Sequence, residues 1–155
     1  MRGKRSSHAM ADVNPPIPES TGRLVARVGL ILFYGVAGLM HVVATEAMVP
    51  IVPGWVPMGH AVVIATGLCE IAGALALSLP ARFLGWRKVA GWSLAAYALC
   101  VWPANFVHAI HDLGTGTGLS GWYHYPRLAL QPLIIWWALW GSGAAGGARC
   151  APPVG

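Results

Sequence analysis

Six side chains in this 155-residue sequence are chemically able where their surroundings are not: His41, Glu70, Asn105, His108, Arg127 and Gln131. Glu70 is the most conspicuous, in the middle of Ala61–Leu79, a run almost free of polar side chains. A carboxylate buried in hydrocarbon costs roughly 2–4 kcal/mol or more, so it marks a functional site if partners exist for it. Carboxyl and imidazole exchange protons, carboxamides donate and accept hydrogen bonds, and a guanidinium holds an anion or a carbonyl oxygen. Together they would suit a quinone head group, a small oxidisable molecule, a proton or a metal. For a metal, His41, Glu70 and His108 are the candidate ligands, since imidazole and carboxylate serve Zn or Fe. No two of these three form an i, i+4 ligand pair, so metal is the weaker reading and a quinone the stronger one. Cys69, Cys100 and Cys150 form neither a CxxC nor a metal-type spacing; the first two read as buried small hydrophobes.

The elements that must position these groups follow from composition. The chain is 56% hydrophobic and 10% charged, against about 25% charged in ordinary soluble domains. Mean hydropathy is +0.60. Such a chain cannot solvate a globular surface, and its length suffices for one membrane bundle without a second domain. The predicted fold is an all-α membrane protein, a four-helix transmembrane bundle occupying about 23–145. Its helices are expected at about 24–44, 60–79, 89–111 and 126–141. A polar, Pro-rich tail (1–22) is expected to be disordered, and a small-residue tail follows from 146 to 155. The first apolar run exceeds the 7–15 residues or so of a signal-peptide core, which predicts an uncleaved membrane helix with Arg27 snorkelling at its start.

Helical periodicity groups the polar residues by face. Tyr34, Gly38, His41 and Thr45 share one face of the first helix, where Gly35 and Gly38 would allow close packing. Thr66, Glu70, Gly73 and Leu77 share a face of the second. Asn105, His108 and Asp112 share a face of the third, in which Pro103 frees the carbonyl of Leu99 and predicts a kink. Arg127 and Gln131 share a face of the fourth. Between the first two helices, Pro50, Pro53 and Pro57 exclude a continuous helix, and Trp55 predicts an apolar interfacial or partly re-entrant loop, able either to lid the space between helices or, at equal cost, to lie flat on the membrane. Pro80–Lys88 reads as a short basic connection. Asp112–Tyr125 reads as a flexible Gly-rich loop carrying interfacial aromatics.

Basic charge is scattered over chain ends and one loop, which points to membrane topology and a lipid bilayer partner, with no nucleic acid. Arg2, Lys4, Arg5, Arg23, Arg27, Arg82, Arg87, Lys88 and Arg149 fall on one side of the predicted bundle and only Arg127 on the other. By the positive-inside rule both termini are cytoplasmic. At 1.5 Å per residue, Glu70 then lies near the midplane, about 15 Å from the outer end, with Asn105 at ~9 Å, Gln131 at ~7 Å and His41 at ~5 Å. The polar groups thus form a funnel open to the outer face, over a cytoplasmic half of hydrocarbon and Trp. In the competing structural reading, Glu70 is simply paired, and Asn105 and Gln131 satisfy carbonyls freed by Pro103 and Pro132.

Several motifs resemble the DoxX-like family of bacterial membrane proteins. They are Gly35-Val36-Ala37-Gly38-Leu39-Met40-His41, Val49-Pro50, Trp55-Val56-Pro57, Thr66-Gly67-Leu68-Cys69-Glu70-Ile71-Ala72-Gly73, Pro103-Ala104-Asn105 and Leu130-Gln131-Pro132-Leu133. The resemblance implies a four-helix protein of the bacterial cytoplasmic (inner) membrane, with His41, Glu70, Asn105 and Gln131 as the carried-over polar positions. It also implies a link to quinone-coupled sulfur oxidation or to oxidative-stress complexes. The expected function is therefore a subunit or accessory of a membrane redox system, served by a membrane or periplasmic redox partner. The alternative is a non-catalytic scaffold or assembly factor.

Overall fold

The computed structural model describes residues 19–116 and 118–146. Most of the expected N-terminal tail, nearly all of the C-terminal one, Cys150, and the charges Arg2, Lys4, Arg5 and Arg149 lie outside the described residues. Among the described residues every regular element is helical. Helix α1 is Thr21–Val43, the short α2 is Thr45–Met48, and a 3-10 turn follows at Val49–Ile51. Helix α3 is Gly59–Ser78, and a 3-10 turn at Ala81–Phe83 leads into α4, Leu84–Thr115. Helix α5 is Gly121–Ala129 and α6 is Gln131–Gly141.

Three of these segments, Thr21–Val43, Gly59–Ser78 and Ala81–Thr115, are long and apolar enough to cross a membrane. Their outward faces leave Val25, Leu32, Val43, Leu75 and Ile110 exposed, surface that hydrocarbon solvates and water does not. Inside, Leu30, Tyr34, Ala74, Leu77, Leu94 and Ala138 form the apolar core. It occupies the half of the molecule nearer the start of α1.

Two expected boundaries shift. Helix α4 is 32 residues long, taking in Arg87 and Lys88 at one end and Thr115 at the other, and it runs on through Pro103. An internal proline deletes one backbone bond and leaves the rest of the ladder, and the packing of α4 on α3 and α6 holds the helix across the gap. The segment expected at 126–141 starts earlier, at Gly121, and is divided at Leu130. Pro132 has no N–H for the carbonyl of Leu128, so the ladder lapses there. The Leu130 N–H still donates to Pro126 at 2.9 Å and the Ile134 N–H to Leu130 at 2.9 Å, so α6 continues the course of α5. The expected loop over Asp112–Tyr125 shrinks accordingly. It begins at Gly116, whose left-handed φ of 67° closes α4 while its N–H donates to the Asp112 carbonyl.

Backbone approach is closest where α1 crosses α3. A Cβ added to Gly38 would stand 2.6 Å from the Gly67 carbonyl oxygen, and one on Gly67 would stand 2.7 Å from His41 Cβ. Only glycine at both positions permits this crossing, which sets His41 beside Glu70. Gly35 has no such role, with Ala74 Cβ 4.0 Å from the position its Cβ would take.

Arg27 does not snorkel. It is 8% exposed and donates to both carboxylate oxygens of Glu19 at 2.7 and 2.6 Å. Arg87, equally buried, lies 3.7 Å from the same carboxylate and donates from Nε to the Leu79 carbonyl at 2.6 Å. The half of the molecule away from the polar funnel is thus apolar in its interior but ends in a buried charge cluster. Cys69 and Cys100 are unpaired and exposed on their helices, where burial in the core was expected.

Candidate functional site

A cavity of about 690 Å³ opens between α1, α3, α4 and the α5–α6 segment, within the 300–1,000 Å³ or so typical of small-molecule sites. His41, Glu70, Asn105, Arg127 and Gln131 all line it. The Pro-rich segment after α1 covers it, through Met48, Ile51, Val52, Pro53, Trp55 and Val56. An exposed His60–Glu46 contact of 3.1 Å ties the two ends of that segment together. The rest of the wall is apolar, with Phe33, Val63, Val101 and Ile134 among the contacts.

At the floor, His41 Nδ1 lies 2.8 Å from the Ala37 carbonyl oxygen and 3.1 Å from Glu70 Oε2. A proton on Nδ1 aligns with the carbonyl, the helix's own i−4 acceptor. Glu70 Oε2, on a residue 4% exposed, therefore has a polar neighbour but no hydrogen-bond donor among the described residues. The hydroxyl of Tyr97 faces both Glu70 and Thr66. Tyr34, 2% exposed, brings a second phenol whose hydroxyl has no partner among the described residues. Nearer the mouth, Arg127 stacks over Tyr123 with Cζ 5.5 Å from the ring centroid, and its Nη1 is buried without an acceptor among the described residues. The cavity thus holds an orphaned acceptor and two orphaned donors.

Gln131 is occupied. Its Nε2 donates to the Ala98 carbonyl at 2.5 Å, one residue before the carbonyl that Pro103 frees. The amide was expected to satisfy a proline-freed carbonyl; it braces α6 against the neighbouring one. Asn105 is buried and lines the cavity from α4.

His108 does not line the cavity. Its Nε2 lies 3.2 Å from Asp112 Oδ2, and His124 Nε2 lies 3.1 Å from the same oxygen. The metal trio of His41, Glu70 and His108 is therefore not assembled; His108 belongs to a second cluster behind the cavity wall. Sequence reasoning passed over two members of these sites. Tyr97 was legible from Val101, Ala104 and Asn105, which follow it at i+4, i+7 and i+8 on the cavity face. His124 was hidden because Tyr125 and the residues before it read as loop. Once α5 begins at Gly121, Tyr123 and Arg127 turn toward the cavity and His124, about 100° further round, turns toward α4.

In comparisons with known proteins, no curated protein and no solved structure matches the chain. A family model does match, over residues 30–142, a span containing nearly every residue that builds the cavity and the cluster behind it. On that match, the chain belongs to the family described as a domain of unknown function, DUF8561.

Proposed function

We propose that the chain is a four-helix membrane protein, with α5 and α6 together making the fourth span and both termini cytoplasmic. In this reading the cavity is a binding site for a quinone head group or a similar lipophilic carbonyl compound. One observation carries it: a mainly apolar chamber holds Glu70 Oε2, the Tyr34 hydroxyl and Arg127 Nη1, each buried without a hydrogen-bond partner among the described residues. Unpaired buried polar atoms cost about 1–3 kcal/mol each, and a ring with oxygens at both ends answers both kinds. Its carbonyl oxygens accept from the guanidinium and the phenol. When reduced, its hydroxyl donates to Glu70, with His41 adjacent to pass the proton on. Electrons would come from a membrane or periplasmic redox partner, so the chain acts as a subunit or accessory of a bacterial inner-membrane redox system. The DoxX-like motifs support this reading, since His41, Glu70, Asn105 and Gln131 are the positions that they share.

The test is titration of the detergent-solubilised protein with a short-chain quinone, read by quenching of Trp55, which lines the chamber. Mass spectrometry of lipophilic molecules retained on mild purification accompanies it. We expect saturable binding, weakened at least about tenfold by Glu70→Gln or Arg127→Met, the equivalent of about 1.4 kcal/mol, with helix content unchanged. No saturable binding, or binding indifferent to both substitutions in folded protein, would remove the proposal in favour of a scaffold.

A further inference from the structure

The cluster behind the cavity wall carries chemistry that the cavity does not use. His108, Asp112 and His124 each turn one ligand atom inward, and these atoms lie within 4.8 Å of one another. The side chains are 10%, 8% and 1% exposed, respectively. Asp112 Oδ2 accepts from the Leu119 N–H at 2.8 Å and lies 3.1 Å from His124 Nε2 in a hydrogen bond, with His108 Nε2 3.2 Å from the same oxygen.

As a purely hydrogen-bonded cluster this is over-subscribed. A carboxylate oxygen offers two lone-pair directions, which the Leu119 and His124 donors fill, so His108 Nε2 stands against that oxygen without a hydrogen bond to it. Both Nδ1 atoms are buried without a partner among the described residues. The geometry points to a divalent transition-metal site held by His108 Nε2, His124 Nε2 and the Asp112 carboxylate. Ligand atoms around a tetrahedral ion with bonds of 2.0–2.1 Å stand about 3.3 Å apart, and around an octahedral one about 3.0 Å apart. Both observed nitrogen–oxygen separations fall between these values. Binding would use the Nε2 lone pair of each neutral imidazole, with its one proton carried on Nδ1, and leave Asp112 only the Leu119 N–H, a backbone donor of the kind that orients ligating carboxylates.

Two imidazoles and one carboxylate favour zinc or ferrous iron over calcium or magnesium. Three protein ligands leave at least one coordination position open, the pattern of reactive zinc and non-haem iron sites, whereas structural zinc sites have four protein ligands. Among the described residues no acceptor meets either Nδ1, and such outer partners are worth about 10–100-fold in affinity, so the ion should be exchangeable with chelators. Gly118 belongs to the site without being a ligand. A Cβ there would collide with the Asp112 carboxylate, so glycine leaves the space in which that carboxylate sits.

The experiment uses the full-length protein, purified with an affinity tag free of histidine and stripped with EDTA. Zn²⁺ is titrated against a chromophoric chelator, and Co²⁺ serves as a spectroscopic substitute. We expect one ion per chain. Affinity should fall at least about 100-fold in Asp112→Asn and His124→Ala and about tenfold or more in Gly118→Ala, with no change in His60→Ala, whose exposed imidazole lies against Glu46. The Co²⁺ spectrum of the unmutated protein should show nitrogen and oxygen ligation, a readout that survives if a variant fails to fold. Absence of stoichiometric Zn²⁺ binding would overturn the proposal and leave a hydrogen-bonded clasp between α4 and α5. So would binding that persists in folded Asp112→Asn and His124→Ala. Loss of quinone binding in the cavity would not bear on it.

Discussion

Replacing Gly38 by alanine isolates the contact on which the cavity floor depends, and replacing Gly35 by alanine is its control. Both residues lie in α1, three positions apart, and both gain the same helix propensity, worth about 1 kcal/mol. They differ in what the new methyl meets. At Gly35 it comes into ordinary contact with Ala74 Cβ at 4.0 Å. At Gly38 it meets the Gly67 carbonyl oxygen at 2.6 Å, Ile71 Cγ1 at 2.8 Å and Glu70 Cβ at 3.0 Å. Ordinary contact begins at 3.4 Å, so α1 and α3 must part by 3.4 − 2.6 = 0.8 Å at the crossing. Overpacking of this kind costs about 1–3 kcal/mol. The propensity gain cancels between the two variants, so Gly38→Ala should be less stable than Gly35→Ala by that whole amount. Equilibrium unfolding in mixed detergent micelles with rising SDS, followed by far-ultraviolet circular dichroism, measures the difference. The same parting draws His41 off Glu70, so Gly38→Ala should also lose quinone affinity while Gly35→Ala keeps it. Equal unfolding midpoints, or a more stable Gly38→Ala, would refute the crossing as the device that assembles the floor.

Two further outcomes are expected from the same unfolding assay. Gln131→Met removes the donor to the Ala98 carbonyl at nearly constant volume and should cost about 1 kcal/mol; a variant as stable as the parent would show that α6 is held by apolar packing alone. Glu19→Gln strips the carboxylate that serves the buried Arg27 and Arg87 and should cost about 1–3 kcal/mol, whereas Glu46→Gln at the exposed His60 contact should cost under about 0.5 kcal/mol. Equal effects would mean that the Glu19 cluster is screened like a surface pair.

The sites divide according to what a helical period can express. Tyr34, Gly38 and His41 on one helix, and Thr66, Glu70 and Gly73 on the next, share common faces by spacing alone; the first face meets the second at Glu70, while Gly73 packs against Leu94 of α4. The lid was legible too, because three prolines around Trp55 exclude a helix while the residues between them remain apolar. The fate of His108 was not legible. It shares a face with Asn105 and Asp112, yet a 32-residue helix is long enough for one face to serve two sites, and Asn105 reaches the cavity while His108 and Asp112 meet His124. Arg27 was misjudged for a related reason. A basic residue at a helix end snorkels unless an acid is near, and Glu19 and Arg87 approach it only through the fold.

By itself, then, the sequence determined that the described residues are helical, three of the four membrane segments expected, the place of Glu70 in the middle of one of them, and the set of polar residues from which a site could be drawn. Apolar run length and the 3.6-residue period are local properties, and they survive any packing of the helices. The tertiary structure decided how the helices turn toward one another: that Gly38 and Gly67 bring His41 to Glu70, that Tyr97 joins them, and that His108 is withdrawn to Asp112 and His124. Those outcomes depend on contacts within tenths of an ångström between residues far apart in the chain, which no single helix records.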